Sequence, residues 1–81
     1  MDRAKRFFVM NARRHKLRID IQPDRGDWVL RQGFWDIAIF SDYKAAIAEA
    51  IRMAQRRVAE SEVFIHNRLG QPFLVWQKRM G

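Results

Sequence analysis

One segment of this chain has helical periodicity, and it lies between segments whose apolar residues alternate. From Asp42 to about Ala59, apolar residues recur every three or four positions, which is typical of a helix with one buried stripe. Ser41 is the predicted N-cap. A helix of about 18 residues is about 27 Å long and can cover one face of a small sheet, not both. The predicted stripe consists of Tyr43, Ile47, Ala50, Ile51, Ala54 and Val58.

The flanking segments predict five strands. "LRIDIQ", "WVLRQ" and "FWDIAIF" precede the helix and are separated by the turn "PDRGD" and by Gly33. "EVFIH" and "PFLVWQK" follow it, around a turn at residues 67–70. We therefore expect a two-layer α+β fold with an antiparallel sheet in the order β-β-β-α-β-β and the helix packed on one face. Residues 15–81 are expected to form one domain, and residues 1–14 a basic arm that is either a short helix or a strand.

The second face of this sheet, the one turned away from the helix, is also predicted to be apolar. Alternation assigns Trp35, and with it Val63, Ile65, Phe73 and Val75, to the helix side. An exposed apolar face is unusual in a monomer, so we expect an interface there. Three occupants fit: the apolar residues 7–10 of the arm, a second copy of the chain, or nucleic-acid bases. The predicted interface residues are Phe34, Phe40, Phe64, His66, Leu74 and Trp76.

The charge of the chain is unevenly distributed. The net charge is +7; residues 1–16 contain six Lys and Arg residues against Asp2, which gives +5, and residues 17–81 contribute the remaining +2. A basic arm on a nearly balanced domain indicates a polyanionic partner, usually nucleic acid. The predicted phosphate contacts are Arg3, Lys5, Arg6, Arg13, Arg14, Lys16, Arg18, Lys78 and Arg79, with Arg52, Arg56 and Arg57 of the helix as additional candidates.

Catalytic residue types are scarce in this sequence. The chain has no cysteine, and its two histidines, His15 and His66, are far apart. No two potential metal ligands share a helix face with a third nearby, and the glycines form no phosphate-binding run. We therefore expect no enzymatic activity, no metal, no cofactor and no small-molecule substrate. Neither a leader peptide nor a membrane span is expected, so a cytoplasmic location is the default.

Several short motifs resemble a known family. "IDIQP", "GDWVL", "AAIAEAIRMA" and "VFIHNRLGQ" are similar to the small bacterial proteins of the domain-of-unknown-function family 2188, over residues 17–77. The matching positions are Trp28, Ala46, Ile47, Ala50, Ala54, Ile65, His66 and Gly70. The chain departs from the family pattern in its basic arm, in Asn67 where glycine is usual, and in its more aromatic residues 34–40. The resemblance implies a fold and no activity.

These observations together predict a small, basic, non-enzymatic binding protein of bacterial or phage type. Its expected partner is nucleic acid, contacted mainly at the phosphates, because charge gives affinity without sequence information. The alternative is a protein-interaction or regulatory module, an inhibitor or a subunit, that docks on an acidic protein surface and forms a homodimer. The two hypotheses differ in what the second face and the arm contact.

Overall fold

A computed structural model describes residues 16–79 of the chain, and the α+β class is confirmed. These residues form one helix and one five-stranded sheet: β1 Leu17–Asp24, β2 Asp27–Gln32, β3 Trp35–Phe40, α1 Tyr43–Gln55, β4 Ser61–His66 and β5 Pro72–Lys78. The predicted arm, residues 1–14, lies outside the described residues. The turn between β1 and β2 has Arg25 and Gly26 at positive φ, 54° and 87°, which is typical of a tight two-residue hairpin.

The sheet is mixed, so the prediction that it is antiparallel is wrong. Its strand order is β3-β2-β1-β4-β5, and the central pair, β1 and β4, is parallel, with Leu17 opposite Ser61 and Ile21 opposite Ile65. The reason is topological. Helix α1 returns the chain to the end of the sheet where β3 began, so β4 runs in the direction of β3. Two hairpin reversals relate β3 to β1, and β1 therefore runs in that direction too.

The core lies between the central strands and α1. Three alanines at intervals of four residues form one line along the helix and let it lie close to the sheet. Branched side chains of β1, β2 and β4 fill the space beneath that line. The core residues, each at most 3 % exposed, are Leu17, Ile19, Ile21, Leu30, Ala46, Ala50, Ala54 and Val63.

Helix α1 is shorter than the sequence predicted at both ends. Its N-cap is Asp42 rather than Ser41, because the Asp42 carboxylate accepts a hydrogen bond from the backbone N of Lys44 at 3.4 Å. The helix ends at Gln55, and Val58 is 91 % exposed, so Val58 does not belong to the apolar stripe. At the C-terminal end, the Lys78 ammonium donates to the carbonyl oxygens of Ala54 at 3.0 Å and Arg57 at 2.6 Å. Those carbonyl groups thus gain a side-chain donor in place of a further helical turn.

Two predicted second-face residues, Phe40 and Trp76, lie on the helix side instead. Phe40 is opposite Trp28 in the β2–β3 pairing, and both pack against the core. Trp76 is opposite Val63 because a bulge leaves Val75 as the extra residue in β5. Simple alternation cannot detect an inserted residue. In β3, moreover, apolar residues occupy both the odd-numbered and the even-numbered positions, so alternation does not distinguish the two faces. The sequence pattern therefore assigned these two rings to the wrong face.

The alanine line predicts a clear response to added volume. We expect Ala50→Leu to destabilise the protein by about 1–3 kcal/mol, because the longer side chain pushes α1 away from the sheet. Ala48→Leu, on the exposed side of the same helix, is expected to change stability by less than about 0.5 kcal/mol. Urea denaturation followed by circular dichroism measures both. Equal midpoints for the two variants would contradict this packing.

The contact of Lys78 with the helix carbonyls predicts a link between the last strand and α1. Lys78→Met keeps most of the aliphatic stem and removes the ammonium donors, and we expect a loss of about 1–2 kcal/mol. Arg79→Met removes one positive charge from an exposed neighbour and serves as the control. Hydrogen exchange at the C-terminal amides of α1 should accelerate in the first variant and stay unchanged in the second.

Candidate nucleic-acid interface

The second face carries a polar network where an apolar surface was expected. Asp20 lies at its centre and accepts hydrogen bonds from Arg18, Nε to Oδ2 at 3.1 Å and Nη2 to Oδ1 at 3.1 Å. Nε2 of His66 lies 2.7 Å from Oδ1 of Asp20, which joins the two parallel strands β1 and β4. The side chains of His66 and Asp20 are only 13 % and 15 % exposed. Together, Arg18, Asp20 and His66 form what we call the Asp20 network.

Arg18 also covers an aromatic ring of that face. Its Cζ atom lies 4.2 Å from the centroid of the Phe64 ring, within the range of a cation–π contact. Because the same guanidinium bonds Asp20, Arg18 is held in place by two neighbours. The structure puts Phe64, His66 and Leu74 on the second face, as the sequence predicted, but Phe64 and His66 already have partners within the chain.

A second ion pair occupies the β2–β3 side of the same face. Nε of Arg31 lies 2.6 Å from Oδ1 of Asp36, and its Nη1 donates to the Gln22 side chain at 2.8 Å. The hydrogen bond to Asp36 raises the pKa of Arg31 above its ordinary value, so this group stays positively charged. Each of the two arginines described on this face thus bonds an aspartate. An incoming phosphate would meet those carboxylates as well as the guanidinium groups.

The most exposed aromatic side chains lie at the β2–β3 turn. Gly33 has a φ of 63°, and the turn it makes directs Phe34 and Trp35 away from the core. Phe34 is fully exposed and Trp35 is 75 % exposed. Beside them is an open cleft of about 340 Å³, which we call the Phe34 cleft, lined by Lys16, Leu17, Arg18, Gln32, Gly33, Phe34 and Trp35.

The predicted phosphate contacts fall into three groups. Arg3, Lys5, Arg6, Arg13 and Arg14 lie outside the described residues. Lys16 and Arg18 line the Phe34 cleft, and the Lys16 ammonium is also 3.5 Å from Glu62. Lys78 and Arg79 lie in a neighbouring cleft of about 240 Å³, together with Glu60 and Glu62, and Lys78 is bonded to the helix carbonyls. Lys16 lines both clefts.

A smaller hollow of about 230 Å³ lies at the opposite end of the sheet, where α1 begins. Its walls include Trp28 and Tyr43, whose ring centroids are 5.7 Å apart, and Phe73. The hollow forms because α1 starts at Tyr43 and leaves that end of the sheet uncovered. Its surface is almost entirely apolar, and its lining contains neither lysine nor arginine.

Sequence reasoning predicted Lys16 and Arg18 but missed the cleft that they line. It placed Phe34 inside a strand and Trp35 in the core, whereas the glycine before them was the available signal for a turn. It also missed the Asp20 network, because the alternation of β1 predicts which residues share a face and not which polar groups bond across strands.

Within residues 16–79, no group of three His, Cys, Asp or Glu side chains is placed to hold a metal ion. No helix in the same range is long and apolar enough to cross a membrane.

Comparison with known proteins gave no match to any family model, to any curated protein or to any solved structure. The resemblance to family 2188 therefore stays a prediction.

The Asp20 network predicts a stability difference between two aspartates of the same face. Asp20→Asn weakens bonds to both Arg18 and His66 in a largely buried position, and we expect a loss of about 2 kcal/mol. Asp36→Asn alters an ion pair whose carboxylate is 56 % exposed, and a much smaller change is expected. Urea denaturation at neutral pH measures both variants. The network would have no structural role if the two midpoints shifted equally.

Proposed function

We propose that this protein binds single-stranded nucleic acid at the Phe34 cleft, without catalysis. The observation that carries this proposal is the fully exposed ring of Phe34, next to Trp35 and to the Lys16 ammonium, at an open cleft. Proteins that bind single strands combine aromatic side chains, on which bases stack, with cations that contact the phosphates. The second face fits this role less well, because its aspartates bond its arginines.

Lys16 is the described cation best placed for a phosphate contact at this site. Its side chain is 48 % exposed, and its 3.5 Å contact with Glu62 is long for an ion pair. Arg18 is held by Asp20 and Phe64, so it contributes a fixed wall of the cleft. Gln32 adds an amide that can donate to or accept from a base edge.

The basic residues of the N-terminal segment directly precede Lys16 in the sequence. Residue 15 is bonded to Lys16, and residues 1–15 contain five Lys and Arg residues against Asp2, a net +4 (5 − 1). The salt dependence of single-strand binding grows with the number of phosphates that Lys and Arg residues neutralise. We therefore expect strong dependence on salt and little dependence on sequence.

The alternative partner, an acidic protein surface, would use the same cations. It would give no role to base stacking at Phe34. The response to Phe34 substitution therefore distinguishes the two hypotheses.

The test is fluorescence anisotropy with a labelled oligothymidine, the matching oligouridine and a duplex of equal length, over a series of salt concentrations. Phe34→Ala is expected to weaken single-strand binding about tenfold, since one stacked base contributes about 1–3 kcal/mol. Phe34→Trp keeps an aromatic ring at this position and should bind single strands as the unmodified protein does. Lys16→Gln should weaken binding to every sequence and reduce the salt slope by about one phosphate contact.

Leu69→Ala is the matched control, because Leu69 is an exposed apolar residue, 84 % accessible, in the β4–β5 turn at the other end of the sheet. It should bind as the unmodified protein does. Absence of binding at low salt would overturn the proposal, as would unchanged single-strand affinity in Phe34→Ala.

A further inference from the structure

Strand β3 forms one edge of the sheet and exposes three large apolar side chains. It pairs with β2 on one side, and no strand of residues 16–79 pairs with its other side. Trp35 is 75 %, Ile37 46 % and Ile39 66 % exposed. An edge strand presents unpaired backbone donors and acceptors, and apolar side chains beside them favour pairing with another chain.

The two edges of the sheet differ in their protection. Strand β5 begins at Pro72, which has no N–H to offer, and contains Lys78. Strand β3 contains neither proline nor lysine, and its one charged residue, Asp36, is bonded to Arg31 of β2. Both strands contain a bulge in their pairing with the neighbouring strand, so bulges do not distinguish them. Within residues 16–79, β3 is thus the less protected edge.

We propose that β3 pairs antiparallel with β3 of a second copy of this chain, which extends the two sheets into one across a two-fold axis. This inference does not depend on nucleic-acid binding. In such a pairing, opposed residues share a face, and one residue lies opposite its own copy. With the axis at Ala38, Ile37 lies opposite Ile39 of the second copy.

The exposed apolar area of β3 favours a second copy as the occupant, and charge restricts the register of the pairing. An axis at Ile37 or Ala38 keeps Asp36 away from its own copy, whereas an axis one residue later would place Asp36 opposite Asp42. The exposed side chains of β3 offer on the order of 400 Å² per copy, against about 800 Å² per partner in a standard interface. This area is smaller than that of a standard interface, so we expect a reversible dimer rather than a permanent one.

The first test is sedimentation equilibrium of the full chain from about 5 to about 500 µM, a range in which a weak, reversible dimer dissociates on dilution. We expect the mass to rise from monomer to dimer, and Ile39→Glu to weaken dimerisation at least tenfold. Val58→Glu introduces the same charge at an exposed valine outside β3, and should dimerise as the unmodified protein does. Circular dichroism verifies that both variants fold.

The second test uses the absence of cysteine from the chain. Ala38→Cys places a thiol near its own copy, within the Cα separation of about 4.4–6.8 Å that a disulfide spans. Oxidation of the otherwise cysteine-free protein should give a cross-linked dimer. Stronger cross-linking of Ile37→Cys would indicate the same interface with the axis moved by one residue. Val58→Cys is the control and should cross-link little.

A monomer at every concentration, or cross-linking no stronger in β3 than at position 58, would overturn the dimer. So would unchanged dimerisation in Ile39→Glu. Because Phe34→Ala tests strand binding and Ile39→Glu tests self-association, failure of one proposal is distinguishable from failure of the other.

Discussion

The rest of the structure depends on the parallel pairing of β1 with β4 beneath the alanine line of α1. The two strands are 44 residues apart at Leu17 and Ser61, and their pairing unites the three-stranded N-terminal part of the sheet with the closing hairpin. Ile19 lies opposite Val63 there, and both are fully buried. Without α1 above them these side chains would face water, and without β4 the sheet would end at β1. The packing of α1 and the continuity of the sheet therefore both depend on the pairing of β1 with β4.

A chain this short cannot cover both faces of its sheet with helices, and the second face is covered in another way. One helix of 13 residues shields only part of one side. On the other side, polar side chains bond each other across neighbouring strands and lie over the apolar ones, as Arg18 lies over Phe64. The buried polar side chains of the described residues all have hydrogen-bond partners. The centre of the face is thus covered by its own side chains, at the cost of most of its capacity for phosphate, while Leu74 and Ile39 stay exposed.

Local features of the fold were predictable from the sequence, and long-range ones were not. Alternation in "LRIDIQ" and the alanine spacing of the helix indicate β1 and α1 because each signal lies within a few residues. The parallel pair was missed, although a helix between β3 and β4 already implies it. Trp76 was assigned to the wrong face because a bulge at Val75 leaves no mark in the sequence. Of the cleft, Lys16 and Arg18 were predicted from charge alone. Phe34 was predicted for the second face and Trp35 for the core, since exposure at a turn depends on backbone geometry at Gly33.

The order of the strands also has a consequence for how the chain is made. β1 lies at the centre of the finished sheet, yet the segment that pairs with its free edge, residues 61–65, is synthesised only after the helix. A growing chain that has reached Gln55 contains three strands and a helix, with β1 and β3 both at open edges. This state persists until β4 has been made and has left the ribosome. The nascent protein is thus vulnerable to mispairing until residues 61–65 are available to pair with β1.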